Sequence, residues 1–377
     1  MSIQGYHMSR AASGAPRIRH YVAGGAEHGG GIGRLVGYIL SSRSTGFDHR
    51  VVDTRGPRLS ILRSPAHLVH AMSVLVADSL RGHPTLHHFH IAGRGSTVRK
   101  LVLGHWARLL RAPYVLHLHD YDYAQDLARR SRWQRHRLRS LFQNAERVIV
   151  LGHRDRETVN RALGVPAERI ALLRNCVPDP GPRVPGGSAT VEIIFLGQLG
   201  PRKGVPELFA ALSDPLMAGG NWHATLAGDG SVETYRADAE SLGLSSQVHL
   251  TGWVDADEAA RLRARADILV LPSHAEGFAM AVLEGLAQGL AVVTTPVGAQ
   301  GEVLVDGETC LLVPPGDCEA LARALARLVA DPDLRARLGK AGRALFLSRF
   351  DIEGYARAFE ELLADHLHAA APVPRSA

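Results

Sequence analysis

Short apolar runs of strand length alternate with longer stretches of helical period along most of the chain. In the first half, the runs predicted as strands are "RIRHYVAG", "HRVVDTRG", "TLHHFHIAG", "PYVLHLHD", "ERVIVLG" and "RIALLRN". In the second half, they are "VEIIFLG", "WHATLAG", "QVHLTG", "DILVLP", "LAVVTTP" and "CLLVPPG". A strand followed by a helix that returns to the next strand makes a parallel pair, so the repeat predicts parallel sheets with helices on both faces.

One segment interrupts this alternation and divides the chain. In "PDPGPRVPGGSAT", residues 178–190, proline and glycine dominate and no apolar period survives, which is typical of a linker. We therefore predict two doubly wound α/β domains, 1–177 and 191–350, with a terminal helix and tail, 351–377, that can pack back onto the first domain. Ligands of such domains sit beyond the carboxyl ends of the strands, so the cleft between the domains is the expected site.

The composition places the chain among ordinary globular proteins, with 377 residues that are 46% hydrophobic and 21% charged. No run approaches the roughly 18 apolar residues that a membrane-spanning helix needs. The start, "MSIQGYHMSRAASGAPR", lacks the apolar stretch of a signal peptide. Three cysteines without a CxxC pair suit a reducing compartment. We expect a cytoplasmic protein with no disulfide and no zinc site.

Positive charge is concentrated in one segment of a chain whose net charge is +6. In "ARRSRWQRHRLRSLF", residues 128–142, three apolar side chains stand among arginines: Trp133, Leu138 and Phe142 among Arg129, Arg130, Arg132, Arg135, Arg137 and Arg139. As a helix, the segment would lie on an anionic membrane surface through its charge and these apolar anchors. The alternative is a solvated helix that binds nothing. Nucleic acid is not expected, because no recognised binding motif accompanies the charge.

Two carboxylates stand in the otherwise apolar segment "LPSHAEGFAMAVLEGLAQG". Glu276 follows a predicted strand, and Glu284 lies about two turns into the helix predicted over residues 277–288. Eight residues of helical rise would separate them by roughly 12 Å, more than the roughly 5–9.5 Å between the paired carboxylates of glycoside hydrolases. They suit an extended ligand with hydroxyls at both ends and a phosphate near the helix N-terminus, such as a nucleoside diphosphate sugar. Taken alone, the segment fits equally well two incidental surface glutamates.

The same segment resembles a known family. "HAEGFAMAVLEGLAQGLAVVTTPVG" is similar to the E-x7-E segment of the retaining glycosyltransferases of family 4, which have the two-domain GT-B fold. "FLGQLGPRKGV", "LAGDG", "TGWV" and "DGETCLLVPPGD" resemble segments of the family's donor domain in the same order. In the first half, "HGGGIGR" resembles its glycine-rich loop, and "HFHIAGRGSTVRK" with "VLHLHD" resembles a branch that builds bacterial surface polysaccharides.

The resemblance implies that the second domain binds the donor. Glu276 would contact hydroxyls of the transferred sugar, and Glu284 the ribose of the nucleotide. Arg202 and Lys203 would neutralise the diphosphate as the glycosidic bond breaks. The implied donor-binding residues are Gly200, Arg202, Lys203, Val254, Glu276, Gly277, Phe278, Ala279 and Glu284.

The first domain is, by the same resemblance, the acceptor side. His119 matches the histidine that sits near the sugar at this domain's edge, and it joins Arg202, Lys203 and Glu276 as a catalytic residue, with Asp120 beside it. The acceptor or phosphate loop is implied at Gly30, Gly31 and Gly33. Glycine there lets the backbone approach a ligand without a Cβ in the way.

The implied reaction transfers a hexose from a nucleoside diphosphate sugar, with uridine as the commonest base in the family, to a saccharide or lipid-linked acceptor. Configuration is retained, and the leaving phosphate helps to deprotonate the acceptor hydroxyl on the same face. The enzyme would serve polysaccharide biosynthesis, in the cytoplasm or on the inner face of the cell membrane. No cofactor is expected.

No metal is expected either. "DAD", residues 255–257, has a metal-binding spacing but opens a predicted helix, where acidic residues favour the dipole. His87, His88 and His90 cluster like metal ligands. However, strand alternation sends His88 and His90 to one face and His87 to the other, with no carboxylate or cysteine at ligand spacing.

Two rival classes stay open. "HGGGIGR", followed about 20 residues later by Asp53, suggests a dehydrogenase that uses NAD. The G-x-G-x-x-G spacing fails, however, at Arg34 when counted from Gly29 and at Val36 when counted from Gly31. The other rival is a catalytically idle relative that binds a nucleotide sugar or glycan to regulate a partner, and the retained carboxylates argue against it.

Overall fold

A computed structural model describes residues 15–42, 46–57, 60, 63–81, 84–120, 122–181, 183 and 189–369, with the last five described by their backbone only. The chain divides into two compact units: Met1–Cys176 together with Ile352–Ala377, and Val177–Asp351. The predictions for the N-terminal start, for part of the linker and for the tail after residue 369 lie outside the described residues.

Each unit contains one parallel six-stranded sheet. The strands of the first are β1 (Arg17–Val22), β2 (Asp48–Asp53), β3 (Thr85–Ile91), β4 (Tyr114–Leu118), β5 (Val148–Val150) and β6 (Ile170–Leu172). Those of the second are β7 (Val191–Leu196), β8 (Trp222–Ala227), β9 (Val248–Gly252), β10 (Ile268–Leu271), β11 (Ala291–Thr294) and β12 (Leu311–Leu312). Every run predicted as a strand contains one of them, so the predicted pair of parallel sheets is confirmed.

Helices connect successive strands in both units. Those of the first unit are α1 (Gly30–Ser41), α2 (Ser64–Arg81), α3 (Arg94–Leu109), α4 (Tyr123–Ala128), α5 (Arg132–Gln143), α6 (His153–Glu157) and, from the end of the chain, α13 (Ile352–Ala369). Those of the second are α7 (Val205–Leu212), α8 (Val232–Ser241), α9 (Ala256–Arg265), α10 (Met280–Gln288), α11 (Cys318–Ala330) and α12 (Pro332–Arg349). Within the described ranges, none of these helices is both long and apolar enough to cross a bilayer.

Pro332 separates α11 from α12. Pro332 is the first residue of α12, where a missing backbone N–H leaves no intrahelical bond unmade. Asp331 caps the helix, since its Oδ1 accepts a hydrogen bond from the backbone nitrogen of Leu334 at 2.8 Å. The adjacent residues Asp331 and Pro332 therefore end α11 and begin α12.

The central strands of the first sheet are buried along their whole length, as expected for a parallel sheet covered on both faces. One face is apolar, where Phe89 and Leu116 pack with Leu103 of α3. The opposite face carries histidines beneath α13, and the ring of Phe359 lies 5.2 Å from that of His88. The last helix thus completes the core of the first unit.

Strand order fixes where each sheet can bind a ligand. The second sheet has the order β12-β11-β10-β7-β8-β9, so the chain runs outward from β7 on one side and from β10 on the other. The loops after β7 and β10 leave adjacent strands in opposite directions and open a crevice at their carboxyl ends. In the first sheet, with the order β2-β1-β3-β4-β5-β6, the corresponding point lies between β1 and β3.

Candidate functional site

The loops after β7 and β10 touch at the switch point of the second sheet. A 3₁₀ turn, Pro201–Lys203, follows β7 and ends at Gly204, whose φ of +71° favours glycine. A Cβ at Gly204 would lie 2.0 Å from the carbonyl oxygen of Pro272, which follows β10. The backbone nitrogen of His274 also donates to the carbonyl oxygen of Arg202 at 2.9 Å. Glycine at this position therefore lets the two loops close on one another.

This contact brings together three of the predicted catalytic residues. The Nζ of Lys203 lies 2.5 Å from the Oε1 of Glu276, and the Nη1 of Arg202 lies 3.6 Å from the same oxygen. The hydroxyl of Ser273 donates to that oxygen at 2.8 Å, while Arg202 donates to the carbonyl oxygen of Ala275 at 2.8 Å. Glu276 is only 8% exposed, so its charge depends on these partners.

The loop after β11 holds the backbone of Glu276 in place. Gly298 has a φ of +59°, and a Cβ there would lie 2.0 Å from the carbonyl oxygen of Glu276. Gln300 is fully buried, and its Oε1 accepts a hydrogen bond from the backbone nitrogen of Ala279 at 3.1 Å. The sequence analysis missed Ser273, Gly298 and Gln300. A glycine and a glutamine shortly after a buried strand are the only sequence signal they offer.

Glu284 lies on α10, and the structure corrects the predicted start of this helix and excludes the alternative of two surface glutamates. The helix begins at Met280 rather than at residue 277, so a helical rise does not apply to the first residues after Glu276. Neither glutamate is an incidental surface residue, because Glu284 is 4% exposed and its Oε2 lies 3.0 Å from the Nη1 of Arg263 on α9. Burying a carboxylate without such a partner would be costly.

The other predicted donor-binding residues differ in what they offer a ligand. Gly200 lies in the loop after β7, which pairs with the loop after β8 through Leu199 and Gly230. Val254 is partly buried in the loop after β9, at the edge of the sheet. Phe278 packs its ring 5.2 Å from that of Phe350. The side chain of Phe278 therefore serves the core, which leaves its backbone for any ligand contact.

The "DAD" segment caps a helix, as its position predicts. The Oδ1 of Asp255 accepts a hydrogen bond from the backbone nitrogen of Glu258 at 2.8 Å, so Asp255 is the N-cap of α9. The segment lies after β9, at the edge of the sheet and two strands away from β7.

The glycines predicted to form a loop in the first unit, Gly30, Gly31 and Gly33, instead lie in the first turn of α1, which packs tightly against the loop after β1. Cβ atoms at Gly29 and Gly33 would lie 2.4 Å and 2.7 Å from the carbonyl oxygen of Gly25. Gly30 has a φ of +60°, and Gly31 is exposed. Gly33 therefore serves contact between loop and helix, while the backbone around Gly30 and Gly31 is open to a ligand.

The carboxylate of Asp53 is already occupied by hydrogen bonds from the backbone of this region, rather than being available to bind a ribose. One of its oxygens accepts hydrogen bonds from the backbone nitrogens of Gly24, Arg55 and Gly56 at 2.7–3.0 Å. Burial opposes ionisation of Asp53, but these donors hold its pKa below the usual value. A carboxylate occupied in this way weakens the dehydrogenase interpretation.

A cavity of about 290 Å³ opens at the switch point between β1 and β3. Among its lining residues are Gly29, Gly93 and the arginines Arg55, Arg94 and Arg99. Burial, and then the positive charge of Arg55, lower the pKa of Arg99, so this guanidinium lacks a full set of compensating charges. The cavity is suited to an anion. Gly30, Gly31 and Gly33 lie on the helix that borders it and are not among its lining residues.

His119 and Asp120 follow β4 at the same end of the first sheet. The Nε2 of His119 lies 3.0 Å from the Nδ1 of His90, which lines the cavity. Asp120 is 8% exposed, and burial raises the pKa of its carboxyl group. A Cβ at Gly93 would lie 1.6 Å from the Oδ2 of Asp120, so glycine is required where this carboxylate meets the loop after β3.

The two units match two protein-family models. Residues 188–345 match the family described as "Glycosyl transferases group 1", and residues 34–179 match "Glycosyltransferase Family 4". The fold, the paired basic and acidic residues at the switch point and these matches define a glycosyltransferase of the GT-B class. The chain belongs to the glycosyltransferases of family 4 that combine these two domains.

Known proteins resemble the chain over most of its length. Glycogen synthase from Mycobacterium tuberculosis is 28% identical over 280 residues, which cover 65% of this chain and 67% of that protein. Alpha-D-kanosaminyltransferase from Streptomyces kanamyceticus is 25% identical, over 70% of this chain and 73% of that protein.

Solved structures share the fold. Sucrose-phosphate synthase from Thermosynechococcus elongatus superposes with a TM-score of 0.73 at 22% identity, over 94% of this chain and all of that one. Anabaena HepE in complex with UDP gives a TM-score of 0.73 at 20% identity, over 93% of this chain and all of that one.

Proposed function

We propose that the protein is a retaining glycosyltransferase that moves a hexose from a uridine diphosphate sugar to a saccharide or lipid-linked acceptor, with no metal ion on the diphosphate in the transfer step. The observation that carries this proposal is the buried Glu276 carboxylate beside Lys203 and Arg202 at the switch point of the second sheet. This arrangement offers an acceptor for sugar hydroxyls next to two cations for a diphosphate. The two cations would stabilise the leaving group, on which negative charge develops in the transition state.

Donor binding would rearrange the contacts of Lys203 and Arg202 with Glu276 without unfolding the loops that carry them. The ammonium group of Lys203 has three N–H donors, so it can keep Glu276 as one partner and give another N–H to a phosphate oxygen. Arg202 is already anchored through the carbonyl oxygen of Ala275. Its guanidinium can therefore meet a phosphate with little further loss of side-chain freedom. These two fixed charges would replace the metal ion that other transferases use.

Uridine as the base is supported by the nucleotides bound in related structures. HepE from Anabaena was solved with UDP, with UDP and glucose, and with UDP-glucose. At 18–20% identity over most of both chains, those structures share the fold, and the choice of base for this chain is part of the proposal. Glu284 is the residue we assign to the ribose.

The acceptor side is assigned to the cavity between β1 and β3. Its arginines favour an acceptor that carries a negative charge close to the reacting sugar, as the phosphate of a lipid-linked saccharide does. His119, within hydrogen-bonding distance of one lining residue, is the proposed neighbour of the transferred sugar. The leaving phosphate would take the proton of the acceptor hydroxyl on the same face.

Thermal unfolding with nucleotides tests the donor class. We expect one nucleoside diphosphate, uridine diphosphate, to raise the unfolding temperature, because a ligand at 100 times its dissociation constant adds about 2.7 kcal/mol to the folded state. Guanosine, adenosine and thymidine diphosphates and NAD are the comparison ligands. Glu284→Ala should lose the shift, and Glu240→Ala, an exposed glutamate of α8 in the same unit, should keep it.

A shift with NAD alone would contradict the proposal. Tight nucleotide binding without transfer from any donor would contradict catalysis and support the idle regulatory relative.

Contact with an anionic membrane is a further part of the proposal, and the structure corrects its basis. The arginines do not lie on one helix, because α5 begins at Arg132. Leu138 and Phe142 are buried in the core and cannot anchor the segment, while Trp133 is 65% exposed. Of the three predicted anchors, Trp133 therefore remains, among exposed arginines.

Vesicle sedimentation tests this contact. Replacing Arg132, Arg135 and Arg139 by glutamine should weaken binding to phosphatidylserine vesicles about 100-fold, because each basic residue near such a surface contributes about 1 kcal/mol and about 1.4 kcal/mol is a factor of ten. The matched control replaces the exposed Arg323, Arg327 and Arg337 of the second unit, with the same change in net charge. Equal binding by both triple variants would leave the arginines of α5 as a solvated face.

A further inference from the structure

The sheet face beneath α13 carries a cluster of histidines among its apolar side chains. The histidines come from four neighbouring strands: His49 of β2, His20 of β1, His88 and His90 of β3, and His117 and His119 of β4 and its end. His20, His88, His90 and His117 are at most 2% exposed. A buried polar group without a hydrogen-bond partner costs free energy, so the partners of these rings are informative.

Part of the cluster is a hydrogen-bonded chain. The Nε2 of His20 lies 2.9 Å from the Nδ1 of His49, and the Nδ1 of His20 lies 3.2 Å from the Nε2 of His90. The Nδ1 of His90 in turn lies 3.0 Å from the Nε2 of His119. Both ring nitrogens of His20 and of His90 are therefore engaged.

His117 does not take part in this hydrogen-bonded chain. Neither of its ring nitrogens has a hydrogen-bond partner among the described residues, although the side chain is fully buried. Its ring centroid lies 3.9 Å from that of His119. Ligand nitrogens of His90, His117 and His119 all lie within 4.8 Å of one another. The imidazole of His117, which lacks a hydrogen-bond partner, is thus part of a compact group of three histidines.

We propose that His90, His117 and His119 form a binding site for a divalent transition-metal ion of the zinc type. Zinc binds histidine nitrogens at about 2.0–2.1 Å, which puts two tetrahedral ligands about 3.3 Å apart. The separation of 3.0 Å between the His90 and His119 nitrogens needs only a slight opening. Imidazole ligands favour Zn²⁺, Ni²⁺, Co²⁺ and Cu²⁺ over Mg²⁺ and Ca²⁺.

The hydrogen-bonded chain suits such a site. If His90 binds the ion through Nδ1, its Nε2–H donates to the Nδ1 of His20, and the Nε2–H of His20 donates to the Nδ1 of His49. A ligand histidine whose second nitrogen is fixed in this way has a set tautomer and orientation. Burial also lowers the pKa values of His90 and His117 well below 6.5, which keeps their ligand lone pairs available.

The ion would have a path of entry and an open coordination position. His119 is only partly buried, at the end of β4. Three histidines leave the fourth position of a tetrahedral ion for water or an anion.

A second, neighbouring group of three histidines is less suitable as a metal site. Ligand atoms of His20, His88 and His90 also lie within 4.8 Å of one another. However, His20 already pairs with both other rings, at 3.1 Å and 3.2 Å. All three side chains are buried, which leaves no exposed ligand for entry.

Cobalt binding by the untagged full-length protein, freed of metal with a chelator, tests the site independently of the proposed function. We expect one equivalent of Co²⁺ to give the visible absorption of a tetrahedral ion and one equivalent of Zn²⁺ to displace it. His117→Leu, which removes the unpartnered ring, should weaken binding at least 10-fold. His119→Ala, at the partly exposed ligand, should do the same and guards against misfolding of the first variant.

His87→Leu is the matched control. It removes a histidine of β3 that is also buried but contacts Tyr21 on the opposite face of the sheet. It should leave cobalt binding unchanged. The absence of stoichiometric binding in the wild type, or equal binding by a folded His117→Leu variant, would overturn the proposal. Loss of binding in His88→Leu but not in His117→Leu would also overturn it, by moving the ion to the neighbouring group.

Discussion

Glu276→Gln should lower kcat/KM for sugar transfer at least about 100-fold, the size expected when one charge-stabilising contact of a transition state is lost. Glutamine keeps the shape of glutamate and an oxygen for the Ser273 hydroxyl, but it brings no negative charge. The hydroxyls of the sugar would then meet a weaker acceptor. Steady-state rates with the donor identified by the thermal shifts measure the effect.

The same change should also destabilise the second unit. Lys203 and Arg202 would remain beside each other without the carboxylate that they share. Breaking a buried ion pair from one side costs about 3–5 kcal/mol, and we expect the lower end because Lys203 is 15% exposed. Chemical denaturation of the wild type and the variant gives this difference.

A double variant separates the two effects. Glu276→Gln combined with Lys203→Met removes both charges, so stability should recover in part while transfer stays lost. Glu240→Gln, on the exposed face of α8, is the control for a neutralised glutamate. Wild-type rates in Glu276→Gln would remove this residue from the assigned site, and a return of activity in the double variant would mean that its role is only structural.

Acidification from pH 7.5 to 5.5 should destabilise the metal-free first unit by several kcal/mol. Burial is the main cause that lowers the pKa values of the histidines in the sheet, to about 4 for His49 and His87 and well below 6.5 for His20, His88, His90 and His117. The unfolded chain binds these protons near pH 6.5, whereas the folded unit binds them only at a lower pH, about 4 for His49 and His87. Stability is therefore fully present above 6.5 and is lost as the pH falls below it.

Denaturation at pH 7.5, 6.5 and 5.5 in the presence of a chelator measures this loss. Each histidine that stays neutral in the folded state contributes about 1.4 kcal/mol per pH unit below 6.5. His117→Leu should lower the slope by about that amount, and His136→Leu, an exposed histidine of α5, should leave it unchanged. A stability that stays flat between pH 7.5 and 5.5 would mean that these histidines are protonated in the folded unit.

The strands could be predicted from the sequence because parallel strands are buried on both faces and leave nearly continuous apolar runs. The prediction held even for β3, where His88 and His90 alternate with Phe89 and Ile91, because strand alternation assigns these two pairs to opposite faces. The start of α10 could not be predicted in the same way. Residues after Glu276 are apolar enough to extend the helix, but Gly298 packs against the carbonyl oxygen of Glu276 and holds this backbone outside the helix.

Contacts between distant segments account for what the sequence missed in the candidate site. Lys203 and Glu276 are 73 residues apart, and their meeting depends on the order of β7 and β10 in the sheet. Both residues were identified from the resemblance to a family. The hydrogen bond between Gln300 and the backbone of Ala279 corresponds to no periodic pattern in the sequence. The sequence argument against a histidine metal site considered one strand alone, whereas the proposed ligands come from β3 and from β4 with its end.

The second unit begins and ends at neighbouring residues. Val177 pairs with Asp351 in a parallel bridge, and the backbone nitrogen of Val177 donates to the carbonyl oxygen of Phe350 at 3.1 Å. A segment whose two ends meet can be excised or inserted with little disturbance of the fold that receives it. Residues 177–351 can therefore be exchanged as one piece between relatives, which would replace the whole unit to which we assign donor binding. If that assignment holds, chimaeras built at these two junctions would change donor preference while leaving the first sheet and α13 intact.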